Sequence, residues 1–343
     1  MTISVIIPVY KVEKYIRRCL QSVIDQERGE YHIECLIVDD CSPDNSMDIV
    51  NDIVNNYRGT TITFKIIRHE VNKGLSEARN SGIKASTGDY LFFIDSDDDI
   101  LENTFKCYVT YLLEYPFVDL IMGNALDIEA SGLSNTSETN NNSYCLINDK
   151  RTIIYKMLSR SIDRHAWNKL IRRSLFVDNN LFFDKGLLYE DVTWTYRLFS
   201  VISSVLLVPE LTYMYEYNSA SIIHTHSERS EKMLWSFVFI LDYIINNPPV
   251  IDDKKVFFTE HCLFLHHWML ITIDLYEKYG ADTQTREKLN ALKRQLFWRS
   301  VRHFRIFLAL FFLTMFKPLS GLMKIKAYRD KLYSISRIVY KLS

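Results

Sequence analysis

The sequence predicts an α/β protein with a mixed, mainly parallel β-sheet flanked by helices and followed by a helical C-terminal extension. Three observations lead to this fold class. Strand and helix signals alternate along the first half of the chain. The strands are continuous apolar runs, as expected when both faces of a sheet are covered. From Glu231 onward the pattern is mostly helical.

Each element of the first half has its own signal. Apolar runs predict strands, and polar-apolar periodicity predicts the helices between them. Ser42-Pro43 offers a cap and a first-turn proline for one of these helices. The predicted strands are residues 3–9, 33–39, 62–68 and 90–94, and two predicted helices are residues 11–26 and 75–85.

The later segments divide the chain. Residues 129–150 are rich in Ser, Thr and Asn, which predicts a surface loop. We predict one α/β domain over residues 1–228, and a helical, basic region over residues 229–343.

Composition excludes several classes of protein. The chain has 343 residues, of which 48% are hydrophobic and 13% aromatic, so general disorder is excluded. Its six cysteines form no C-x-x-C pair, which disfavours a zinc knuckle or a disulfide framework. Its ten glycines form neither G-x-G-x-x-G nor a P-loop, so NAD enzymes and P-loop NTPases are disfavoured.

Acidic residues follow two predicted strands. Four aspartates within residues 95–99 come directly after the strand at 90–94. Such a cluster indicates a divalent cation holding a phosphate-bearing ligand, or else a polar turn with a helix cap. Asp39-Asp40 suits a base edge with a ring N–H, as in uracil, thymine or guanine, although one of the pair could cap a helix.

Residues 72–82 open a helix with a cluster of hydrogen-bond donors. Helix N-termini favour anions, and Arg79 could reach a phosphate. As an isolated string, the same segment is also compatible with an ordinary capped helix.

Together these segments resemble a known family. Residues 3–10 (ISVIIPVY), 38–44 (VDDCSPD), 72–82 and 88–98 (GDYLFFIDSDD) occur in the order and spacing of family 2 glycosyltransferases with the GT-A fold. Members of this kind build bacterial surface polysaccharides. The resemblance continues weakly through residues 166–170 (AWNKL) and 189–192 (YEDV), and then fades.

The resemblance implies that residues 1–228 form a GT-A nucleotide-sugar-binding and catalytic domain. It also implies roles by position. Asp191 would be the general base, although an acid pair at a helix N-terminus explains Glu190-Asp191 from spacing alone. Asp97 and Asp95 would hold Mn²⁺ or Mg²⁺, and Asp40 would bind the uracil edge. On the acceptor side we expect Trp167, Asn168, Lys169 and Glu190. The predicted donor-binding residues are Pro8, Tyr10, Asp40, Asn72, Lys73, Arg79, Asp95 and Ser96.

The predicted function is inverting, metal-dependent transfer of a sugar from a nucleotide donor, most simply UDP-linked, to a hydroxyl of a glycan or lipid-linked acceptor. The alternatives are a nucleotidyltransferase and a non-catalytic nucleotide-sugar-binding scaffold. Family members often have an Arg before a Ser-Ile pair, and this Arg contacts a phosphate. This chain has YNSASI at residues 217–222 instead. The phosphate contact could therefore be made by His224, His226 or Arg229.

The end of the chain predicts a membrane partner. Residues 291–343 contain twelve Lys or Arg and one acid, whereas the whole chain has a net charge of −1. The aliphatic and aromatic content favours an anionic lipid surface over nucleic acid. Residues 306–316 (IFLALFFLTMF) are too short to span a bilayer, so they fit an interfacial helix or a core helix. We expect a cytoplasmic protein, peripheral on the inner face of a bacterial cell membrane.

Overall fold

The computed structural model describes residues 1–26, 29–129, 132–136, 143–159, 161–216, 218, 230–249 and 254–302. Its strands are β1 (Thr2–Val9), β2 (His32–Asp39), β3 (Ile62–Arg68), β4 (Tyr90–Phe93), β5 (Asp99–Ile100), β6 (Leu120–Glu129), β7 (Gly132–Thr136), β8 (Cys145–Ile147), β9 (Lys169–Arg172) and β10 (Val205–Glu216). Its helices are α1 (Ile16–Ile24), α2 (Ser46–Asn56), α3 (Leu75–Ala85), α4 (Thr104–Glu114), α5 (Lys150–Leu158), α6 (Ser174–Asp178), α7 (Glu190–Val201), α8 (Ser230–Asn246), α9 (Lys254–Tyr279) and α10 (Thr283–Arg302).

All the described strands belong to one mixed sheet. Its main path has the order β3-β2-β1-β4-β9-β6-β10-β5, with β7 beside β6 and β8 beside β10. Strands β1, β2, β3 and β4 are parallel to their neighbours within this group. Strand β9 runs antiparallel to both β4 and β6. The predicted mixed, mainly parallel sheet is confirmed for the N-terminal half, and the antiparallel insertion of β9 brings its first residue to the carboxyl edge of β4.

Helices cover both faces of the sheet. Side chains alternate along a strand, so Val5 and Ile7 of β1 face one apolar cluster and Ile6 faces the other. The first cluster contains α1, α2 and α4, and the second contains α3 and α5 to α10. Burial on both faces explains why the strands are continuous apolar runs.

Three local predictions differ from the structure. The helix predicted over residues 11–26 covers only Ile16–Ile24, since Lys11 has a left-handed backbone (φ 56°) and residues 13–15 form a turn. The helix predicted from Ser42-Pro43 begins only at Ser46, because the Ser42 hydroxyl accepts the Lys11 N–H and donates to Asp44 instead of capping. The segment predicted as a surface loop also contains β7 and β8, which pair with β6 and β10. Pairing to an existing sheet provides hydrogen bonds that the local composition does not signal.

The C-terminal helices share the core of the sheet. Phe237 of α8 and Trp268 of α9 belong to the same apolar cluster as Phe93 of β4. Among the described residues, no helix has the length and apolar character needed to cross a bilayer. His224, His226, Arg229 and the apolar segment at residues 306–316 lie outside the described residues.

Candidate active site

The candidate site lies along one edge of the sheet. The parallel strands β1, β2 and β4 have their carboxyl ends at this edge, where Tyr10, Asp40 and Asp95 follow them. Since β9 is antiparallel to β4, the residues just before it, including Trp167, come to the same edge. Open α/β sheets bind ligands at such an edge. The fold therefore brings the predicted donor-binding and acceptor-side segments together.

Asp40 holds the loop that leads into α3. Its carboxylate accepts hydrogen bonds from His69 Nδ1 (2.7 Å) and from the backbone N–H groups of Lys73 and Gly74 (2.8 Å each). Gly74 has a φ of 89°, a conformation that favours glycine. The contact predicted between Asp40 and a uracil edge stays a prediction, and these partners show that Asp40 also orders the loop.

The other predicted donor-side residues differ in exposure. Asn72, Lys73 and Tyr10 are exposed at this edge, with Tyr10 at 39%. Pro8 is buried inside β1, and Ser96 is buried between the aspartates. The exposed side chains can reach a ligand directly, whereas the buried ones shape the edge.

Two of the four clustered aspartates have hydrogen-bond or ion-pair partners within the protein. The Asp98 carboxylate accepts hydrogen bonds from the Tyr213 hydroxyl (2.8 Å) and the Glu216 N–H (2.9 Å). Asp99 Oδ2 lies 2.6 Å from Arg18 Nε, in an ion pair. Strand β10 and helix α1 therefore stabilise these two acids without a metal.

Asp95 and Asp97 are the partly exposed pair of the cluster. Arg79 contacts one oxygen of Asp95, and the Asn218 amide donates to one oxygen of Asp97 (2.9 Å). Burial and the neighbouring Asp95 raise the pKa of Asp97, so a nearby cation would stabilise its ionised form.

This donor set fits Mg²⁺ or Mn²⁺. No cluster of three or more His, Cys, Asp or Glu ligands occurs in the described part of the chain. Mg²⁺ is commonly held by one or two carboxylates together with substrate phosphates and water. Asp95 and Asp97 are the residues that would hold it.

Arg79 connects the two acidic segments of the site. From α3, its Nη2 lies 2.6 Å from Asp95 Oδ1 and its Nη1 lies 2.6 Å from Glu190 Oε1. Its side chain is 3% exposed and also lies over the Phe183 ring. The phosphate contact predicted for Arg79 is untested, and in this structure the guanidinium is engaged by these two carboxylates.

Glu190 and Asp191 form the first turn of α7, where the helix dipole favours acidic side chains. Tyr189, just before them, has a left-handed backbone with a φ of 60°. Its ring packs edge-on against Phe237 of α8 (centroids 5.1 Å apart), and the Leu188 N–H donates to Ser236 Oγ (3.0 Å). Helix α8 thus supports the turn that positions Asp191.

The two acids of α7 have perturbed ionisation. Burial raises the pKa of Glu190, and the Arg79 ion pair opposes that change. Burial also raises the pKa of Asp191 above its ordinary value, against the positive charges of His165 and Arg79. A carboxyl with a raised pKa in a polar cleft is suited to accept a proton near neutral pH.

The predicted acceptor-side residues have internal partners. Trp167 is stacked between His165 and Tyr213, with ring centroids 4.7 and 4.4 Å apart. The Asn168 amide accepts hydrogen bonds from Tyr108 and Thr212 and donates to the Gly123 carbonyl.

Lys169 is fully buried and donates to the carbonyls of His165 and Trp167. In this structure Asn168 and Lys169 therefore support the start of β9, and their acceptor contact stays a prediction.

Sequence reasoning missed three residues that complete the site. Asn218 contacts Asp97, Tyr213 contacts Asp98, and His165 pairs with Asp163 (2.9 Å). The first two lie more than 110 residues from their partners, so no local pattern identifies them. The His165 pairing could have been suspected from the short D-x-H spacing beside Trp167.

Fold and site together are those of a glycosyltransferase of the GT-A type, with paired acids at the carboxyl edge of a mixed sheet. The model of "Glycosyl transferase family 2" matches residues 4–178. The chain belongs to this family, and the predicted family and fold class are confirmed.

Similar proteins occur in bacteria. The chain is 30% identical over 230 residues to the "Uncharacterized glycosyltransferase EpsJ" of Bacillus subtilis, covering 64% of this chain and 62% of EpsJ. It is 26% identical over 328 residues to the "Minor teichoic acid biosynthesis protein GgaB" of the same species, covering 90% of this chain and 34% of GgaB. The chain thus spans less than two thirds of either relative.

A solved structure has the same fold. The crystal structure of Staphylococcus aureus TarS 1–349 in complex with UDP-GlcNAc matches with a TM-score of 0.67 and 21% identity, covering 87% of this chain and 81% of that chain. At this identity the match establishes the fold.

Proposed function

We propose that this glycosyltransferase is inverting and metal-dependent, and that it moves a sugar from a UDP-linked donor to a hydroxyl of a glycan or lipid-linked acceptor during polysaccharide synthesis. The main observation behind this proposal is that Arg79 pairs with two carboxylates at once. One guanidinium contacts Asp95 on the donor side and Glu190 beside the candidate base, so the two halves of the reaction are a few ångströms apart.

Asp191 is the proton acceptor in this proposal. The acceptor oxygen forms a bond to the anomeric carbon while the bond from that carbon to the diphosphate breaks. Asp191 takes the proton that the acceptor oxygen loses. Attack from the face opposite the leaving diphosphate inverts the anomeric centre. A divalent cation at Asp95 and Asp97, when bound, supplies positive charge for the departing diphosphate.

Matches to Staphylococcus aureus TarS support the choice of donor and pathway. TarS was crystallised in complex with UDP-GlcNAc and with UDP. A relative from S. aureus Mu50 is named "Poly(ribitol-phosphate) beta-N-acetylglucosaminyltransferase TarS", and this chain is 27% identical to it over 217 residues, covering 63% of this chain and 35% of the relative. UDP-GlcNAc is therefore the first donor to test.

Metal removal is expected to abolish tight UDP binding. In the presence of Mn²⁺ and UDP at a hundred times its Kd, the free energy of unfolding should rise by about 2.7 kcal/mol. With EDTA this gain should largely disappear, because the diphosphate would face Asp95 and Asp97 without a counter-charge. Thermal shift of the full chain measures both states, and release of UDP from UDP-GlcNAc gives the corresponding activity.

A pair of variants separates the metal site from the structural acids. Asp97→Asn is expected to remove the Mn²⁺ response, since it takes away a partly exposed carboxylate. Asp99→Asn is the control, because Asp99 is paired with Arg18 and should leave the response intact. UDP binding that ignores EDTA, or an Asp97→Asn variant with a normal Mn²⁺ response, contradicts the proposed metal site.

We further propose that the enzyme works at the inner face of a bacterial membrane, on the basis of the basic charge of residues 291–343. The full chain is expected to co-sediment with vesicles containing phosphatidylglycerol and to be released by raised salt, since the attraction is electrostatic. Phosphatidylcholine vesicles are the control. Equal sedimentation with both vesicles, or none with either, contradicts this localisation.

A further inference from the structure

His165 is held in one orientation beside α7. Its Nδ1 lies 2.9 Å from the Asp163 carboxylate, and its ring is stacked on Trp167 at an interplanar angle of 12°. The Lys169 ammonium donates to the His165 carbonyl at 2.7 Å. The side chain is nevertheless 55% exposed. These contacts orient the imidazole and leave it in contact with solvent.

A hydrogen bond places the same segment against the candidate base. Thr195 of α7 donates from Oγ1 to the Arg164 carbonyl at 2.5 Å. Asp191 lies four residues before Thr195, and positions four apart share one face of a helix. The Asp191 side chain therefore lies on the face of α7 that meets residues 163–165, in agreement with its electrostatic interactions with Asp163, Arg164 and His165.

We propose that His165 is a positioning residue for sugar transfer: held by Asp163, it carries a positive charge that keeps the neighbouring Asp191 carboxyl ionised and able to take the acceptor proton. The inference rests on the proposed role of Asp191 as base. His165 itself exchanges no proton in the step. In the described part of the chain, no residue pairs with Nε2 of His165.

The surrounding charges agree with this role. Partial desolvation against the protein lowers the pKa of His165, but Asp163 and, more weakly, Asp191 hold it above its ordinary value, with Lys169 opposing them. Although burial raises the pKa of Asp163, His165 and Lys169 hold it well below its usual range. Both shifts favour the charged forms of the Asp163–His165 pair.

The same charges act on the base. Burial raises the pKa of Asp191, and His165 opposes this more strongly than Arg79 does. Asp163 raises it further and Arg164 lowers it, and Glu190 is a second buried acid next to it. Loss of the imidazolium therefore raises the pKa of Asp191, and the acid limb of the pH–activity profile moves to higher pH.

The kinetic test compares a neutral and a charged replacement. The rate of UDP release from UDP-GlcNAc is measured against pH, with water as the acceptor. In His165→Gln the acid limb of kcat/KM should move up by about one pH unit, which is about a tenfold loss below the limb. His165→Lys keeps the charge and should keep the limb. Equal losses in both variants with an unmoved limb overturn the proposal.

An independent test needs no activity. The Cε1–H resonance of His165 is one of nine histidine signals and is identified by its loss in His165→Gln. Its titration midpoint should fall in Asp191→Asn, because a nearby negative charge is removed, and fall further in Asp163→Asn. An unchanged midpoint in Asp191→Asn overturns the inference. Absence of transfer by the unchanged protein contradicts the proposed function instead, whatever the midpoint shows.

Discussion

Asp191→Asn is expected to slow sugar transfer about 10²- to 10⁴-fold, with UDP binding within a few-fold of that of the unchanged protein. An amide cannot accept the proton of the attacking hydroxyl. Burial raises the pKa of Asp191, so the unchanged enzyme should lose activity on the acid side at a higher pH than an ordinary aspartate would give. That acid limb should be absent from the residual activity of the variant.

The control for this variant is Asp242→Asn. Asp242 forms a partly exposed ion pair with Lys288 (3.0 Å) between α8 and α10. Its replacement should leave both the rate and the pH profile unchanged. Calorimetric titration with UDP and Mn²⁺ separates binding from turnover. Near-normal transfer by Asp191→Asn would rule out its role as general base.

Arg79→Met is expected to lower the free energy of unfolding by about 3 kcal/mol, near the lower end of the cost of breaking a buried ion pair. Methionine retains much of the apolar stem but leaves Asp95 and Glu190 without their shared cation. The cost is not larger because the Asp95 side chain is 27% exposed and water can reach it. Urea denaturation measures the change as a lower midpoint with an unchanged slope.

The matched control is Arg17→Met. Arg17 also pairs with a carboxylate, Asp52, at 3.2 Å, but the two side chains are 60% and 55% exposed. Such a pair contributes about 0–1 kcal/mol, so little change is expected. Adding Glu190→Gln to Arg79→Met should recover part of the loss, since one unpaired charge is removed. Equal destabilisation by the two arginine variants contradicts the buried-bridge interpretation.

Local patterns predicted the repeated α/β part of the fold well. The strand Ile62–Arg68 and the helix Leu75–Ala85 have the predicted bounds. In both elements the apolar residues recur with the period of the secondary structure, because one side packs against the sheet or its helices, and this spacing is visible in the sequence. Strands β7 and β8 were missed because β7 is mostly polar in sequence and two of the three β8 residues are exposed, and their pairing depends on partners elsewhere in the sheet.

The acids of the site could be located from sequence, but their partners could not. Asp95 and Asp97 follow a buried strand, so their place at the sheet edge was predictable. The hydrogen bond to Asp98 comes from Tyr213 of β10, which is 115 residues away. Likewise, Arg79 could be assigned to a ligand-facing helix, but its contact with Glu190 spans 111 residues. Such contacts arise from topology and leave no signal in nearby residues.

The left-handed turn at Tyr189 makes the position of Asp191 dependent on α8. Ser236 and Phe237 hold this turn from α8, eight residues or more beyond the predicted boundary at 228. A chimera that joins residues 1–228 to the tail of another family member would therefore misplace Asp191. Such a chimera should keep the first two turns of α8 together with the N-terminal half.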